Sequence, residues 1–408
     1  MKKLQNPQLN DNNYAYNLKN DISVSAITAA IIAVIVSYTG PLVLIFHAAN
    51  SAGYSTEILS SWIWAISIGA GITGLFLSYF LKIPVITAWS TPGAALLVSL
   101  LPSVSLNEAV GAYLIAAFII TLLGFSGIFN KIVHKLPKPI ASAMLAGILF
   151  KFGIGIFISA AEQPLLVLAM FITYIIARRI ISRYAVLCVL IAGFCLANFF
   201  GEINLAAIHV NIAKPIFIYP QFSWHALLNI ALPLAVVTLS GQYIPGFAIL
   251  KTSGYDNIPT KPIVGYTGLA SCLLSVFGSH GFNLAAVTAA ICTGKDANEN
   301  VHKRYVSGIF NGILYIIAGI FGGTLASIFS AFPKQLTASL AGIALLGAIS
   351  SGLSGAMSED KTREASLITF LVTASDIRLF GLGAAFWGLA LGLFSYVIIN
   401  YKANTQKK

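Results

Sequence analysis

Long apolar stretches alternate with short polar loops along the chain, and this pattern predicts a polytopic membrane protein made of helices. Because about 20 apolar residues span a bilayer as a helix, dividing the stretches at charged or Pro/Gly-rich points gives roughly fourteen segments. Some of them are too short to span alone. The predicted bounds are 22–47, 57–81, 84–101, 108–129, 139–160, 164–180, 184–201, 227–250, 261–277, 282–294, 304–328, 335–352, 364–375 and 379–400.

Two polar, glycine-containing breaks interrupt this apolar pattern, one from Pro84 to Gly93 and one from Ser275 to Asn283. Broken backbone is tolerated in a membrane only where it lines a protein-buried or watery cavity. A helix-forming run follows each break, so we expect two half-helices whose N-termini face one cavity. The free N–H groups and the positive dipole end of such termini favour an anion.

The chain also contains an internal repeat. The run L-P-K-P-I-A-S-A-M-L-A-G-I from Leu136 matches F-P-K-Q-L-T-A-S-L-A-G-I from Phe332, and a second pair of similar runs ends at Tyr54 and Tyr255. The repeat unit holds seven segments, and an odd number places the second copy upside down in the membrane. The predicted organisation is an N-terminal tail (1–21), a first repeat (22–201), an external linker (202–226), a second repeat (227–400) and a C-terminal tail (401–408), with both tails cytoplasmic.

Composition and charge agree with this interpretation. Hydrophobic residues make up 57% of the chain, charged residues make up 9%, and the mean hydropathy is +0.85. With a cytoplasmic N-terminus, all of the 24 lysines and arginines fall on the inner side except Lys214, Lys334, Arg378 and the intramembrane Lys151, as the positive-inside rule requires. The net charge of +11 therefore reflects topology, and nucleic-acid binding is not expected. The four cysteines form no C-x-x-C pair, so we expect neither a metal site nor a cofactor.

The breaks supply the candidate binding residues. Hydroxyl, amide, imidazole and backbone N–H donors come from Ser90, Thr91 and Gly93 at the first break and from Ser279, His280, Gly281 and Asn283 at the second. Ser90, Thr91 and Asn283 are also ordinary helix caps, and that alternative stays open. Histidine is the side chain that can titrate near neutral pH, so His280, the histidine at membrane depth, is the candidate proton carrier. The alternatives are a neutral histidine that holds the break in shape, and a proton that travels with the substrate or through water.

Three motifs carry a family resemblance: T-A-W-S-T-P-G-A-A-L-L from Thr87, A-S-A-M-L-A-G-I from Ala141, and G-S-H-G-F-N-L-A-A-V-T-A-A-I-C from Gly278. They resemble the benzoate/proton symporter (BenE) family of bacteria over nearly the whole chain. That family is similar in architecture to nucleobase, bicarbonate and sulfate transporters. The resemblance implies fourteen segments divided into a core and a gate domain, with short strands before the half-helices of segments 3 and 10. It also implies import of an aromatic carboxylate with a proton across the inner membrane.

The resemblance directs attention to further side chains. Gln242 stands where the nucleobase branch carries an acid, and an uncharged amide suits an anionic substrate better. Tyr38, Trp89, Tyr243 and Phe282 are candidate walls for a benzene ring, although each one alone is as well explained by helix packing. An intramembrane charge such as Lys151 suggests function, but its stem can also reach toward the outer surface.

The sequence thus predicts an all-α polytopic transporter that imports benzoate or a related aromatic monocarboxylate by proton symport and alternating access. A transporter of the same fold for a nucleobase or an inorganic anion is the alternative, as is a passive channel. An enzyme is not expected, because no paired carboxylates or nucleophile with a base are visible. The expected partners are a benzoate-like anion, protons and membrane lipid, and the sequence is compatible with a homodimer as well as a monomer.

Overall fold

A computed structural model describes residues 16–129 and 137–401, so most of both predicted tails lies outside the described residues. Helices α1 to α16 are Val24–Thr39, Pro41–Ser51, Thr56–Leu81, Thr91–Leu100, Leu106–Ser126, Lys138–Glu162, Pro164–Ile180, Ala185–Phe199, Trp224–Thr252, Thr260–Ser275, Val287–Thr293, Tyr305–Ile320, Gly322–Ser330, Lys334–Ala356, Arg363–Ala374 and Ala384–Tyr401. Strands β1 and β2 are Thr87–Trp89 and Phe282–Leu284. Short helical turns cover Leu18–Asp21, Leu101–Ser103, Ser182–Tyr184, Leu205–Ala207, Val301–Lys303 and Asp360–Thr362.

Helices occupy each of the predicted apolar segments, but many of them are short. Among the described residues, six continuous stretches are long and apolar enough to cross a membrane: 24–51, α3, α5, α6, α9 and α14. A seventh arises if Val301–Ile320 and Gly322–Ser330, bent by 67° at their break, form one span. The structure therefore supports a multi-pass membrane protein, and the count of fourteen spans remains a prediction.

The helices pack as two groups. The first, here called the site bundle, comprises 24–126 and 224–330, in which α3 packs along α12, α5 packs along α10, and both strands lie between them. The second, here called the flanking bundle, comprises 138–199 and 334–401, in which α6 packs along α14 and α15. Sheet and half-helices are thus enclosed by the site bundle, while the flanking bundle approaches them through α6 and α14.

Glycine allows the closest helix contacts in the site bundle. A Cβ on Gly71 of α3 would lie 2.6 Å from the carbonyl oxygen of Gly312 of α12. A Cβ on Gly124 of α5 would lie 2.4 Å from the backbone nitrogen of Gly265 of α10. Small residues permit such close backbone approach in membrane proteins, where no hydrophobic force brings helices together. A Cβ on Gly308 of α12 would likewise lie 2.2 Å from the hydroxyl oxygen of Ser78 in α3.

Helix α9 is irregular where it passes the strands. It contains two π-helical turns, Leu227–Ala231 and Leu239–Tyr243, within otherwise α-helical backbone. Single π turns are rare and occur frequently at functional sites because they redirect side chains. A Cβ on Gly241, in the second π turn, would lie 3.3 Å from Cγ of Pro92. The irregular part of α9 therefore packs against the first turn of half-helix α4.

Candidate substrate site at the two breaks

The two breaks meet as an antiparallel strand pair. In its register, Thr87 lies opposite Leu284, Ala88 opposite Asn283, and Trp89 opposite Phe282. Extended backbone inside a membrane protein needs hydrogen-bond partners, and each strand supplies them for the other. The short strands predicted before the half-helices are therefore present. Because the strands are antiparallel, α4 and α11 leave the pair in opposite directions.

Ser90 caps the first half-helix and also links it to α9. Its hydroxyl accepts a hydrogen bond from the N–H of Gly93 at 3.1 Å and a second from the hydroxyl of Thr238 at 3.2 Å. Gly93 leaves room for α9, since a Cβ there would lie 2.6 Å from Cδ1 of Leu234. Thr91 is the first residue of the half-helix. The Ser90 hydroxyl is therefore a helix cap, and it is also the group that the binding interpretation expects to contact the substrate.

The second half-helix begins later than the sequence suggests. Helix α11 starts at Val287 with Ala286 as an N-cap that makes no side-chain hydrogen bond. The interpretation of Asn283 as a helix cap is therefore wrong, because Asn283 pairs with Ala88 at the centre of the sheet. Its side chain is fully buried, and neither amide atom has a partner among the described residues. A buried amide of this kind is available to a ligand or a water molecule.

His280 connects three elements through both ring nitrogens. The indole N–H of Trp62 in α3 lies 3.1 Å from Nδ1, and the carbonyl oxygen of Ser90 lies 3.1 Å from Nε2. An indole nitrogen only donates, so Nδ1 accepts. Nε2 then carries the hydrogen and donates to the Ser90 carbonyl, which identifies the ring as the neutral tautomer in this conformation. The imidazole therefore joins the second break to the first break and to α3.

Glycine and serine shape the approach to β2. Gly278 and Gly281 have φ angles of 94° and 106°, which are left-handed conformations that favour glycine. The buried Ser279 hydroxyl accepts from the N–H of Gly281 at 3.3 Å. Ser271 of α10 accepts from the N–H of Phe282 at 3.1 Å and donates to its carbonyl at 3.2 Å. These bonds satisfy the backbone just before the strand and fix the direction in which Phe282 points.

A small cavity lies beside His280, Gly281 and Phe282. Its remaining walls are Ala116, Ala117 and Ile120 of α5, Leu234 and Thr238 of α9, and Ser271 of α10. The internal volume is about 10 Å³, which suits one water molecule. The lining offers hydroxyls, an imidazole and a phenyl ring, and no carboxylate. An anion is therefore not repelled there, but an aromatic ligand enters only if the walls separate.

The other predicted aromatic walls lie away from this cavity. Tyr38 packs edge-on against Trp89, with 5.1 Å between ring centroids, and donates to Ser67 at 2.6 Å. Tyr243 pairs with Thr267 at 2.6 Å and packs in a separate apolar cluster. Gln242 is buried in the second π turn of α9. Among the predicted aromatic walls, Phe282 is the one that lines the described cavity.

Sequence reasoning missed Trp62, Thr238, Ser271 and the alanines of α5. Thr238 carried one usable signal, since it lies four residues before Gln242 and shares its helix face. Trp62 and the alanines carried none, because they reach the breaks only through tertiary packing. Lys151 lies outside the cavity, where it contacts Ser99 and approaches Asp376 within 3.7 Å.

Comparison with known proteins shows similarity over nearly the whole chain. A family model described as benzoate membrane transport protein (BenE) matches residues 20–398. The benzoate membrane transport protein of Acinetobacter baylyi is 50% identical over 382 residues, which cover 94% of this chain and 97% of that protein. The inner membrane protein YdcO of Escherichia coli is 37% identical over 379 residues, which cover 93% and 97%.

Solved structures share the fold at low sequence identity. SLC26A9 superposes with a TM-score of 0.60 at 14% identity, covering 94% of this chain and 66% of that one. The transmembrane domain of the cyanobacterial bicarbonate transporter BicA gives a TM-score of 0.58 at 16% identity, covering 94% and 98%. These structures establish the fold and nothing about the cargo.

Proposed function

The chain belongs to the family of benzoate membrane transport proteins, and from that premise we propose that it imports benzoate or a related aromatic monocarboxylate together with protons. It is a multi-pass membrane transporter and not an enzyme. We place it in the bacterial inner membrane with both termini in the cytoplasm, because that orientation puts most lysines and arginines inside. The working unit in this proposal is one chain in lipid, and a homodimer is equally compatible with it.

One observation carries the choice of an anionic aromatic substrate. The Phe282 ring and Thr238 line a cavity without a carboxylate, and the Thr238 hydroxyl donates to Ser90, the cap of the half-helix N-terminus. Helix N-termini favour anions, and an aromatic wall adds roughly 0.5–1.5 kcal/mol of stacking beyond area burial. The seven residues of α11 add little dipole, so we assign the carboxylate to the α4 end and to the free amide of Asn283. Thr91, Gly93, Gln242 and Ser279 support these groups in the proposal.

Alternating access follows from the predicted inverted repeat, and the packing supports that repeat. Helices α3 and α12 pair through Gly71 and Gly312, and α10 and α5 pair through Gly265 and Gly124. Exchanging the two halves of the chain converts the first pair into the second. The same exchange maps the strand pair, and the pair formed by α6 and α14, onto themselves. We therefore propose two inverted seven-segment repeats, 22–201 and 227–400, joined by the linker 202–226.

His280 is the proposed proton carrier. In the conformation described, the neutral ring accepts from Trp62 at Nδ1, so a proton can enter only where that indole leaves. A doubly protonated ring would otherwise set two N–H groups against each other. We therefore place proton loading in the step that separates α3 from the second break.

Transport of a nucleobase or an inorganic anion is the alternative within this fold, since the solved neighbours include a bicarbonate transporter. Binding of benzoate, uracil, sulfate and bicarbonate to the purified full-length protein, measured by calorimetry, separates these cargoes. Saturable binding of benzoate with none of uracil supports the proposal. Binding of sulfate or bicarbonate without benzoate would overturn the substrate and leave the fold unaffected.

A further inference from the structure

The turn between α15 and α16 joins the two bundles. Three of its residues, Asp376, Phe380 and Gly381, have left-handed φ angles of 54°, 52° and 75°. Leu379 and Leu382 form a bridge across it. Left-handed backbone is unfavourable for residues other than glycine, and it persists where surrounding contacts hold it. The contacts that hold this turn come largely from the other bundle.

The first set of contacts fixes the C-terminal end of half-helix α4. Arg378 donates from Nη2 to the carbonyl oxygen of Ser99 at 2.9 Å. Lys151, from the middle of α6, contacts the Ser99 hydroxyl and lies 3.7 Å from Oδ1 of Asp376. Cations at a helix C-terminus satisfy its free carbonyls and its negative dipole end. The helix that begins at the substrate cap of Ser90 is thus held at its other end by two cations of the flanking bundle.

The second set of contacts fixes the beginning of α9. The Gly381 carbonyl accepts from Nδ2 of Asn229 at 2.9 Å and from Nε2 of His225 at 2.7 Å. The N–H of Gly383 donates to Oδ1 of Asn229 at 2.6 Å. Asn229 is buried, and both ends of its amide bind the turn. Half-helix α4 and helix α9, which are joined to each other by the bond between Ser90 and Thr238, are therefore both tied to the same short segment, 375–383.

At the opposite end of the molecule an open groove lies between parts of the two bundles. Chain direction places the start of α1 and the turn after α7 at the end away from residues 375–383. A groove of about 700 Å³ lies there, lined by Val24, Thr28 and Ile32 from α1, by Ile181 and Tyr184, and by Asp296. Hydrogen bonds thus join the two bundles through the turn 375–383 at one end, and an open groove lies between α1 and the turn after α7 at the other.

We propose that residues 375–383, together with Lys151, form a latch that closes the end of the molecule where the turn between α15 and α16 lies. The contacts of the latch must break before the cavity can open toward that end. Lys151 and Arg378 are positioning residues that act through α4. The ion pair between Lys151 and Asp376 is partly exposed and therefore weak, as suits a contact that breaks in every cycle. In the proposed topology the latch closes the outer side. The inference rests on the proposed function, because a latch matters to transport only if the bundles move.

Accessibility of a buried reporter beneath the latch tests this. Leu100 is buried, and its side chain lies against Gly383. In full-length protein whose four cysteines are replaced by serine, Leu100→Cys in proteoliposomes is labelled with a membrane-impermeant maleimide added from the latch side. We expect Lys151→Gln and Arg378→Gln to raise the labelling rate about three- to tenfold, as loss of one such contact allows. The exposed Lys334→Gln is the matched control and should leave the rate unchanged.

The outcomes separate the latch from the cargo. Unchanged labelling in Lys151→Gln, Arg378→Gln and the milder Asp376→Asn, each eluting as folded protein, would overturn the latch. Faster labelling in all three variants, with a Lys334→Gln rate equal to that of the starting protein, would support the latch even if benzoate uptake were absent. In that case the proposed substrate would fail while the latch stood.

Discussion

Gly69 of α3 provides the space in which the Phe282 ring sits. A Cβ at this position would lie 2.1 Å from Cε1 and 2.3 Å from Cζ of Phe282. Carbon atoms are in optimal contact at about 3.5–4.0 Å, so Gly69→Ala requires the ring to move by roughly 1 Å or more. Leu274 lies on another side of the added methyl, at 2.6 Å, so the new group has little room of its own. The ring is therefore displaced, and the cavity beside it holds only about 10 Å³.

The expected magnitude follows from the cost of overpacking. Adding a methyl group to a well-packed interior costs about 1–3 kcal/mol. If that cost falls mainly on the conformation that binds substrate, the Kd for benzoate rises roughly 5- to 150-fold, at about 1.4 kcal/mol for each factor of ten. Calorimetric titration of the purified variant with benzoate measures this. Gly155→Ala is the matched control, because a Cβ there meets nothing within 4 Å, and its Kd should equal that of the wild type.

A double-mutant cycle assigns the effect to the ring. In a Phe282→Leu background the added methyl has less to displace, so Gly69→Ala should change the Kd much less than it does alone. We expect a coupling energy of about 1 kcal/mol or more between the two positions. A Gly69→Ala protein that binds benzoate as tightly as Gly155→Ala would refute the assignment of Phe282 to the substrate cavity.

Three further predictions concern groups that the breaks hold in place. Ser90→Ala removes a cap worth about 1 kcal/mol and leaves the Thr238 hydroxyl without its acceptor, so the benzoate Kd should rise several-fold and recover in Ser90→Thr; an alanine variant with wild-type Kd would contradict this. His280→Gln should abolish proton-driven accumulation while benzoate exchange continues, and an unchanged pH dependence of uptake would remove His280 as the carrier. Arg304 is buried and donates to backbone carbonyl oxygens, including that of Thr293 at 2.8 Å. Arg304→Lys should therefore lower Tm by several degrees without altering the Kd for benzoate. Equal melting curves would count against its structural role.

Local sequence patterns predicted the breaks because glycine, proline and hydroxyl residues seldom cluster inside an apolar run that forms a continuous helix. The strands were expected only from the resemblance, since three-residue strands such as Thr87–Trp89 have no periodicity to detect. The alternative of Asn283 as a cap arose because its residue type is common at helix starts, and the structure excludes it. Its true position is set by pairing with Ala88, a contact between residues that are far apart in sequence.

For the same reason, the side-chain partners at the candidate site could not be predicted from the sequence. Trp62 meets His280 across 218 residues, and Thr238 meets Ser90 across 148. A contact between residues so far apart along the chain produces no pattern in a single sequence. Lys151 shows the reverse case, because its charge inside an apolar run correctly marked it as unusual. Its partners Ser99 and Asp376 became visible only when the bundles were placed side by side.

Uptake of labelled benzoate into proteoliposomes, with and without an inward proton gradient, tests the central claim most directly. Uracil and sulfate serve as parallel cargoes, and protein-free liposomes correct for diffusion of the neutral acid. We predict accumulation of benzoate above equilibrium that a protonophore abolishes. Flux that stops at equilibrium regardless of the gradient, or accumulation of another cargo alone, would contradict the proposal that this chain is a benzoate–proton symporter.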